Sequence, residues 1–590
     1  MDNSPLRLLP DELLEQIAYY LPPSATLAFG STCKRGNKIA YEHLIWRAHC
    51  KLGWQYWEPK HDFEEKLEQP PAQTHWRKLY NERRKADIKA LESFNELLKT
   101  QQLRVQRMEE VAKLGRDVKD LLLKMRNETP EDAEDVLARR WYADAILGHL
   151  NRQTALEKWT RLQNRQMVRL EEVLGAYDLF VLGGRPGDLA DLDKEFDRLA
   201  DAVKANDVAF DDLSVRMKAL RVADYLRSEG LVGNPNVGDY HALRNNFLSI
   251  ALFDEVHTSL PLQSVAIYCA VARRLGVNAK PSNYPAHVHA VIEAPADVTL
   301  DGKQKSSVQG AEPEMEFMHM DPWNSSDEVP RDQLIRRLTQ MGVPPNQQQG
   351  LLAASNNLEI TLRTGRNIMH SVQEARNRRR GSRGGLPYPD IECAWYAMLW
   401  SLMILGERDG ATTLHRRRQC LPYIAEHFQQ HFPEDLGMIE RVIAPMFEGE
   451  GEHTVLAHLF EQQRAADRNV KAPFPRSGLT KNVEYKIGQH FQHKRYGYGG
   501  FIIGWDFKCT MDPGWIAQMQ VDQLPGGRNQ PFYNVVADDK SQRYVAEENI
   551  ERLYMTPNES LMLQAGRWFK RWDKERKIFV SNIRDEYPDD

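Results

Sequence analysis

Apolar residues recur at helical spacing over most of the chain, and the period shortens to that of strands in a central region and again near the C-terminal end. Leu9, Leu13, Ile17 and Leu21 follow one another at i+4 steps, and Pro22-Pro23 and Gly30 then break the pattern, which predicts a small module of short helices over residues 5–50. From Ala72 to Thr129 there is no proline and Gly115 is the single glycine, so long amphipathic helices are expected. Further helical stretches run over 132–175 and 188–229, giving a helical spacer over 72–229 whose helices pack as a bundle, with a coiled coil as the alternative. A compact α+β region follows over 234–370, with a helix in LQSVAIYCAVARRLG, strands in AHVHAVIEA and MEFMHMDPW, and a polar loop at 301–313. A basic stretch at 374–390 leads to a helical extension over 391–468. The residues KAPFPRSG then read as a linker, a small β domain is expected over 481–556, and 557–590 reads as a charged, partly helical tail. The expected class is multidomain α+β: a helical N-terminal module and spacer, an α+β domain with a helical extension, and a small C-terminal β-barrel-like domain.

Composition narrows this picture. At about 150 residues per domain, 590 residues correspond to roughly four folded units. With 83 acidic against 78 basic residues the net charge is -5, which excludes a chain-wide field for gathering polyanions. The cysteines at 33, 50, 269, 393, 420 and 509 form no CxxC pair, which argues against a disulfide framework or zinc ribbon and fits a reducing compartment. The N-terminal stretch has acids within its first dozen residues and no apolar core of a secretory leader, and the apolar run from Ala394 to Leu405 is too short to span a bilayer. No membrane association is expected, and the cytoplasm or nucleus is the expected location. There is no fixed-period repeat, P-loop or dinucleotide fingerprint, and the histidines outside the α+β region lack metal-ligand spacing, so no cofactor and no metal are expected. The run Arg376, Arg378, Arg379, Arg380 and Arg383 reads as a solvated linker, with a nuclear-localisation or nucleic-acid patch as the alternative.

The N-terminal module has more apolar side chains than some 45 residues can bury within themselves, which suggests a partner. Leu9-Pro10 followed by Glu12, the leucine series, Cys33-Lys34 and the closing Leu44-Ile45-Trp46-Arg47 resemble an F-box. The resemblance implies docking onto the Skp adaptor of a cullin-RING ubiquitin ligase, through Leu9, Pro10, Leu13, Ile17, Leu21 and Trp46.

The central region carries the outline of a cysteine-histidine-acid site. Such chemistry needs a thiolate at a helix N-terminus, a histidine on the next strand and an acid to orient it. Helix, histidine (PAHVHA) and acid (HMDPW) occur in that order. The region resembles SirB-type transglutaminase-like proteins through Asn245-Asn246-Phe247-Leu248, Leu260-Pro261-Leu262, Ala272-Arg273-Arg274-Leu275-Gly276, Pro285-Ala286-His287 and Asp321-Pro322. Aligned with the family pattern, in which the nucleophile precedes the helix-ending glycine by 15 positions, Pro261 stands where the cysteine would be. The resemblance therefore implies a degenerate site of His287, Asp321 and Pro261 with no catalytic residue. Cys269 lies about 12 Å further along the helix and about 80° around it, so it does not replace the thiol and reads as a core residue. Ser264, one turn into the helix, is the remaining hydroxyl that could face the site; with it the alternative is a hydrolase or transferase working without a cysteine.

The C-terminal segment resembles the YccV/HspQ type, often described as hemimethylated-DNA-binding. The resemblance rests on Ile487-Gly488, His493 to Tyr498, Gly500 to Asp506, Gln530 to Tyr533 and Tyr544 to Asn549. It makes His493, Lys494, Arg495, Tyr498 and Trp505 the candidates for a ligand or DNA patch. Against DNA, residues 481–552 contain nine basic and nine acidic side chains, whereas duplex binding draws on a basic footprint. The density of aromatics is expected to fill the core of a small barrel first. F-box, SirB-type and YccV-type segments in this order resemble one group of F-box-only proteins. The group implies substrate recognition within a Skp-cullin-F-box ubiquitin ligase, with an unknown protein substrate, DNA as a lesser alternative, and no catalytic residue in the chain.

Overall fold

The computed structural model describes residues 9–234, 237–305, 316–379, 388–406, 410–478 and 483–590. Most of the polar loop at 301–313, along with Arg380 and Arg383, lies outside these residues. The chain groups into two units, one of Met1–Leu150 with Glu434–Asp590 and one of Asn151–Pro433. The expected spacer over 72–229 is thus divided near residue 150, and the expected extension over 391–468 near 433. An amphipathic stripe tells which face of a helix is buried but not which other helix buries it.

In the first unit the F-box-like segment folds as α1 (Asp11–Tyr20), α2 (Pro23–Thr32), α3 (Lys34–Ala40) and α4 (His43–Gly53). Pro23 opens α2 at its first turn, where its missing N–H costs nothing, and the Cys33 sulfur accepts from Gly36 N–H to cap α3. Leu14, Ala18, Ile39 and Ile45 form a small core. An aromatic cluster of Trp46, Trp54, Trp57, Phe63 and Trp76 then joins α4 to the helix Trp76–Lys99. Beside it, the fully buried Arg83 is ringed by Asp87, Asp117 and Asp120, so its charge is matched where water is excluded. Phe94 and Leu97 pack with Met108, Val111, Tyr142 and Ile146. The helix Arg104–Ala112 has its N-terminus capped from far along the chain, since Asp467 accepts from the N–H groups of Val105 and Gln106 at 3.0 Å each.

The C-terminal part of this unit is an antiparallel sheet of β5 (His490–His493), β6 (Gly499–Asp506), β7 (Phe532–Ala537), β8 (Gln542–Ala546) and β9 (Ile550–Arg552), in the order β8-β7-β6-β5-β9. Segment 557–590, expected as a charged, partly helical tail, has the helix Glu559–Ala565 but adds a hairpin of β10 (Phe569–Asp573) and β11 (Ile578–Ser581). Leu561, Phe569, Trp572, Phe579, Ile583 and Tyr587 enter the same core as Phe491, Phe501, Trp505 and Tyr533. The contact is close enough to dictate a glycine. Gly488 has φ +85°, and a Cβ there would sit 2.2 Å from the Phe579 carbonyl oxygen. The expected linker is held as well, because Arg476 donates to the Val483 and Tyr485 carbonyls and pairs with Asp590.

The second unit surrounds the helix Pro261–Arg274, buried from Pro261 through Ala272. A sheet of β1 (Ala279–Pro281), β2 (Ala290–Glu293), β3 (Phe317–Met320) and β4 (Glu328–Val329) runs antiparallel in sequence order. Helices Leu170–Val181, Leu189–Asn206 and Val215–Ser228 are present, as are Asn357–Arg379 and Ile391–Ile404. The apolar run at 394–405 is a buried helix with Trp400 and Met403 wholly enclosed, and no helix among the described residues is long and apolar enough to cross a membrane.

Candidate functional site

Three places carry the residues singled out in the sequence. The first is the outer face of α1. Leu13 and Ile17 are 45% and 43% exposed, while their neighbours Leu14 and Ala18, about 100° around the helix, face the core. Pro10 is exposed, and Leu9 and Leu21 are half-buried at the ends of the stripe. Tyr20, Leu27, Tyr41 and Leu44 also stand exposed, although the leucine series alone gave no indication of them. Trp46 does not belong to this surface. It is buried, its indole N–H donates to the Ala40 carbonyl at 2.7 Å, and it serves the core rather than a partner.

The second place is built on β2, β3 and the segments that precede and follow them. His287 Nε2 lies 3.0 Å from Asp321 Oδ1 and 2.9 Å from Oδ2, so the histidine and acid inferred from the sequence do meet. Asn324 Nδ2 donates to Asp321 Oδ2 at 2.7 Å. Burial works to raise the Asp321 carboxyl, but the hydrogen bonds and charge of His287, with Asn324, outweigh it and hold the group below the usual carboxylate range. The Trp323 ring lies edge-on to His287 at 5.6 Å, and its N–H is anchored on the Ser259 carbonyl at 2.8 Å. His287 keeps a quarter of its side chain exposed, so the pair opens to solvent on that side.

The groups considered as nucleophiles are arranged differently. Pro261 occupies the first turn of its helix, as its fixed φ favours. Burial pushes the Cys269 thiol far up, as expected for a core residue. Ser264 is also completely buried: its hydroxyl lies 2.6 Å from that of Ser259 and accepts from Gly233 N–H at 3.0 Å. Its hydroxyl is thus engaged by Ser259 and Gly233, and no hydrogen bond between it and His287 occurs among the described residues.

Behind His287 lies a layer that sequence reasoning missed. His289 and His319 are buried, and burial lowers each to about 4, from an ordinary value of 6.5. The HVH triplet was a usable signal, because alternate residues of an extended chain point to one side. These rings are neutral in the folded chain and take up protons on unfolding, so the unfolded state binds more protons between about pH 4 and 6.5, and stability rises with pH through that window. The melting temperature is expected to climb over this range, and His319→Gln to flatten the climb. A pH dependence identical in wild type and variant would contradict the assignment.

At the C-terminal patch the structure corrects two candidates. His493 is buried and its ring Nδ1 accepts from the Arg495 and Tyr496 N–H groups, closing a turn. Trp505 is a core residue whose N–H donates to Asp590 at 3.0 Å. Lys494 is exposed but donates to the Glu548 carbonyl, Arg495 is exposed, and the half-buried Tyr498 lies under Arg543 at 4.0 Å. The His493 ring lies 4.8 Å from Tyr496 and 5.0 Å from Tyr498, and Arg495 stands over Tyr496, so a small basic and aromatic cluster forms without Trp505.

Three family models match the chain: F-box-like over residues 6–52, the transglutaminase-like superfamily over 190–366, and the hemimethylated DNA-binding protein YccV like family over 483–576. The curated proteins it resembles include F-box only protein 21 of Homo sapiens and of Mus musculus, each 25% identical over 397 residues, and of Pongo abelii, 25% identical over 392 residues. Each match covers 64% of this chain and 56% of the relative, so the chain spans little more than half the length of the relatives it matches. No solved structure matches it.

Proposed function

We propose that this chain is the substrate-recognition subunit of a Skp-cullin-F-box ubiquitin ligase, recruiting a protein substrate for ubiquitination and proteasomal degradation. The observation that carries the reading is the α1 stripe: Leu13 and Ile17 remain exposed on a helix whose adjoining face already closes the module's own core. Adjacent large apolar side chains presented to water mark a surface built for a partner. The F-box-like match over residues 6–52 and the likeness to F-box only protein 21 support the same reading. The mechanism is proximity: the module anchors the chain to Skp and cullin while the rest holds the substrate near the charged conjugating enzyme, raising its effective concentration. No residue of this chain performs chemistry in that scheme, in keeping with the sequence resemblance that sets Pro261 where the family cysteine would be. The cytoplasm or the nucleus is the compartment in which it would act. The test is gel filtration of the full chain with purified Skp; a stoichiometric complex is expected, and separate elution of the two proteins would refute the reading.

DNA binding is not favoured. From Lys481 to Asp590 the chain carries 16 basic and 16 acidic residues, so the C-terminal segment as a whole brings no net charge. Duplex affinity measured by fluorescence anisotropy is expected to be weak and to change little between 50 and 200 mM salt, for hemimethylated and unmethylated duplexes alike. A specific complex that loosens about a thousand-fold over that range would restore the DNA reading.

A further inference from the structure

We propose that His287, His289 and Asp321 form a binding site for a single divalent transition-metal ion of the zinc type. The inference stands apart from the ligase reading and rests on three features of the second unit.

The first is convergence. One ligand atom from each residue can be chosen so that all three lie within 4.8 Å of one another. His287 Nε2 is 2.9 Å and His289 Nε2 3.9 Å from Asp321 Oδ2. A tetrahedral zinc ion takes nitrogen and oxygen ligands at about 2.0–2.2 Å, which places neighbouring ligand atoms about 3.3 Å apart. The two distances bracket that value, so an ion is accommodated by side-chain shifts of less than an ångström at the Asp321 edge. The backbone sets this up: β2 and β3 pair Ala290 with Met320, and the antiparallel register carried one step further puts His289 opposite Asp321.

The second feature is a ligand with nothing else to do. His289 is 1% exposed, and neither ring nitrogen has a hydrogen-bond partner. A buried polar group left unsatisfied costs about 1–3 kcal/mol, so such groups in folded proteins call for an explanation. Tyr284 stands edge-on to the ring at 4.9 Å and the His287 ring lies at 5.1 Å, an arrangement that holds the imidazole in place beside the Asp321 carboxylate.

The third is the donor set. Two imidazoles and one carboxylate suit a borderline ion such as Zn²⁺ better than Ca²⁺ or Mg²⁺, which prefer oxygen alone. Three protein ligands leave one position open, and the exposed edge of His287 places it towards solvent. Asn324, which already donates to Asp321, would orient the carboxylate from behind, as outer hydrogen bonds do at such sites. A comparable group, Glu392, His427 and His431, shares the convergence and the donor set but not the second feature: His427 Nε2 is engaged by the Glu392 carbonyl at 2.9 Å, and the Glu392 carboxylate is paired with Arg376. It serves as the control.

The test is titration of the full chain, first stripped with a chelator, with Zn²⁺ in competition with a chromogenic zinc indicator. One ion per chain is expected, with affinity falling at least ten-fold in His287→Ala and again in Asp321→Asn, and unchanged in His431→Ala. His287 is partly exposed, so its replacement is expected to leave the near-ultraviolet circular dichroism intact, and Co²⁺ substitution gives an independent absorption readout of the same site. Failure to take up an ion, uptake unchanged in both site variants, or loss confined to His431→Ala would each overturn the assignment. Skp binding, measured on the same proteins, is expected to be unaffected by the ion, so the outcomes of the two proposals separate.

Discussion

Replacing Leu13 and Ile17 together by aspartate is expected to weaken the complex with Skp by at least a hundred-fold while leaving the melting temperature of the chain close to that of wild type. Both side chains are about half exposed, so the folded chain gains little from them, and surface substitutions of this kind usually change stability within about 0.5 kcal/mol. In a docked complex the same positions would sit at the centre of a dry apolar contact. There each lost anchor is worth about 2 kcal/mol or more, and a buried unpaired carboxylate adds its own desolvation cost. The neighbours provide the contrast: Leu14→Asp and Ala18→Asp, one step around the helix, are expected to unfold the module, because those positions close its core. Calorimetric titration with Skp and thermal melts of all the variants separate the two effects. Wild-type affinity in the Leu13→Asp, Ile17→Asp protein would refute the docking face.

Ending the chain after Thr556 is expected to unfold the C-terminal sheet. The truncation removes Leu561, Ala565, Phe569, Trp572, Phe579, Ile583 and Tyr587 from a core that they share with Phe491, Phe501, Trp505 and Tyr533. Deleting one large core side chain costs about 3–5 kcal/mol, so losing several exceeds the total stability of about 5–15 kcal/mol typical of a domain. The Trp505 indole also loses its acceptor on Asp590, and Arg476 loses its carboxylate partner. Limited proteolysis should then cut within 483–556 at rates typical of unfolded chain, and Trp505 emission should shift to the red. Protection equal to that of the full chain would show that the tail is dispensable. The gentler Phe579→Ala change tests the same core without removing the chain end.

The tail also marks where reading the sequence reached its limit. Strands β10 and β11 are five and four residues long and are separated by KERK, so their alternation of apolar residues is brief and the local charge dominates. An F-box-like helix with apolar i+4 repeats and a buried helix over Ala394–Leu405 were legible, because both depend on spacing within a single element. Trp46, His493 and Trp505 were not. An aromatic or histidine that would suit a partner surface suits a core equally well, and no local feature of the sequence separates the two. His287 and Asp321 could be paired from their order along the chain, whereas the buried His289 beside them and the tethering of Ser264 could not.

By itself, then, the sequence determined the kinds of element up to about residue 556, the outward apolar stripe of α1, the F-box, transglutaminase-like and YccV-like segments, and the charge balance that argues against a polyanion site. Periodicity and net charge are properties of the chain that survive without coordinates. The tertiary structure alone decided which helices share a core, that the chain divides near residues 150 and 433, that the last 30 or so residues complete a β core, and that Trp46 and Trp505 face inward. Those outcomes depend on contacts between residues hundreds of positions apart, such as Asp467 capping the helix that begins at Arg104. The free energy of such contacts comes from burial and hydrogen bonding that exist only once both segments are in place.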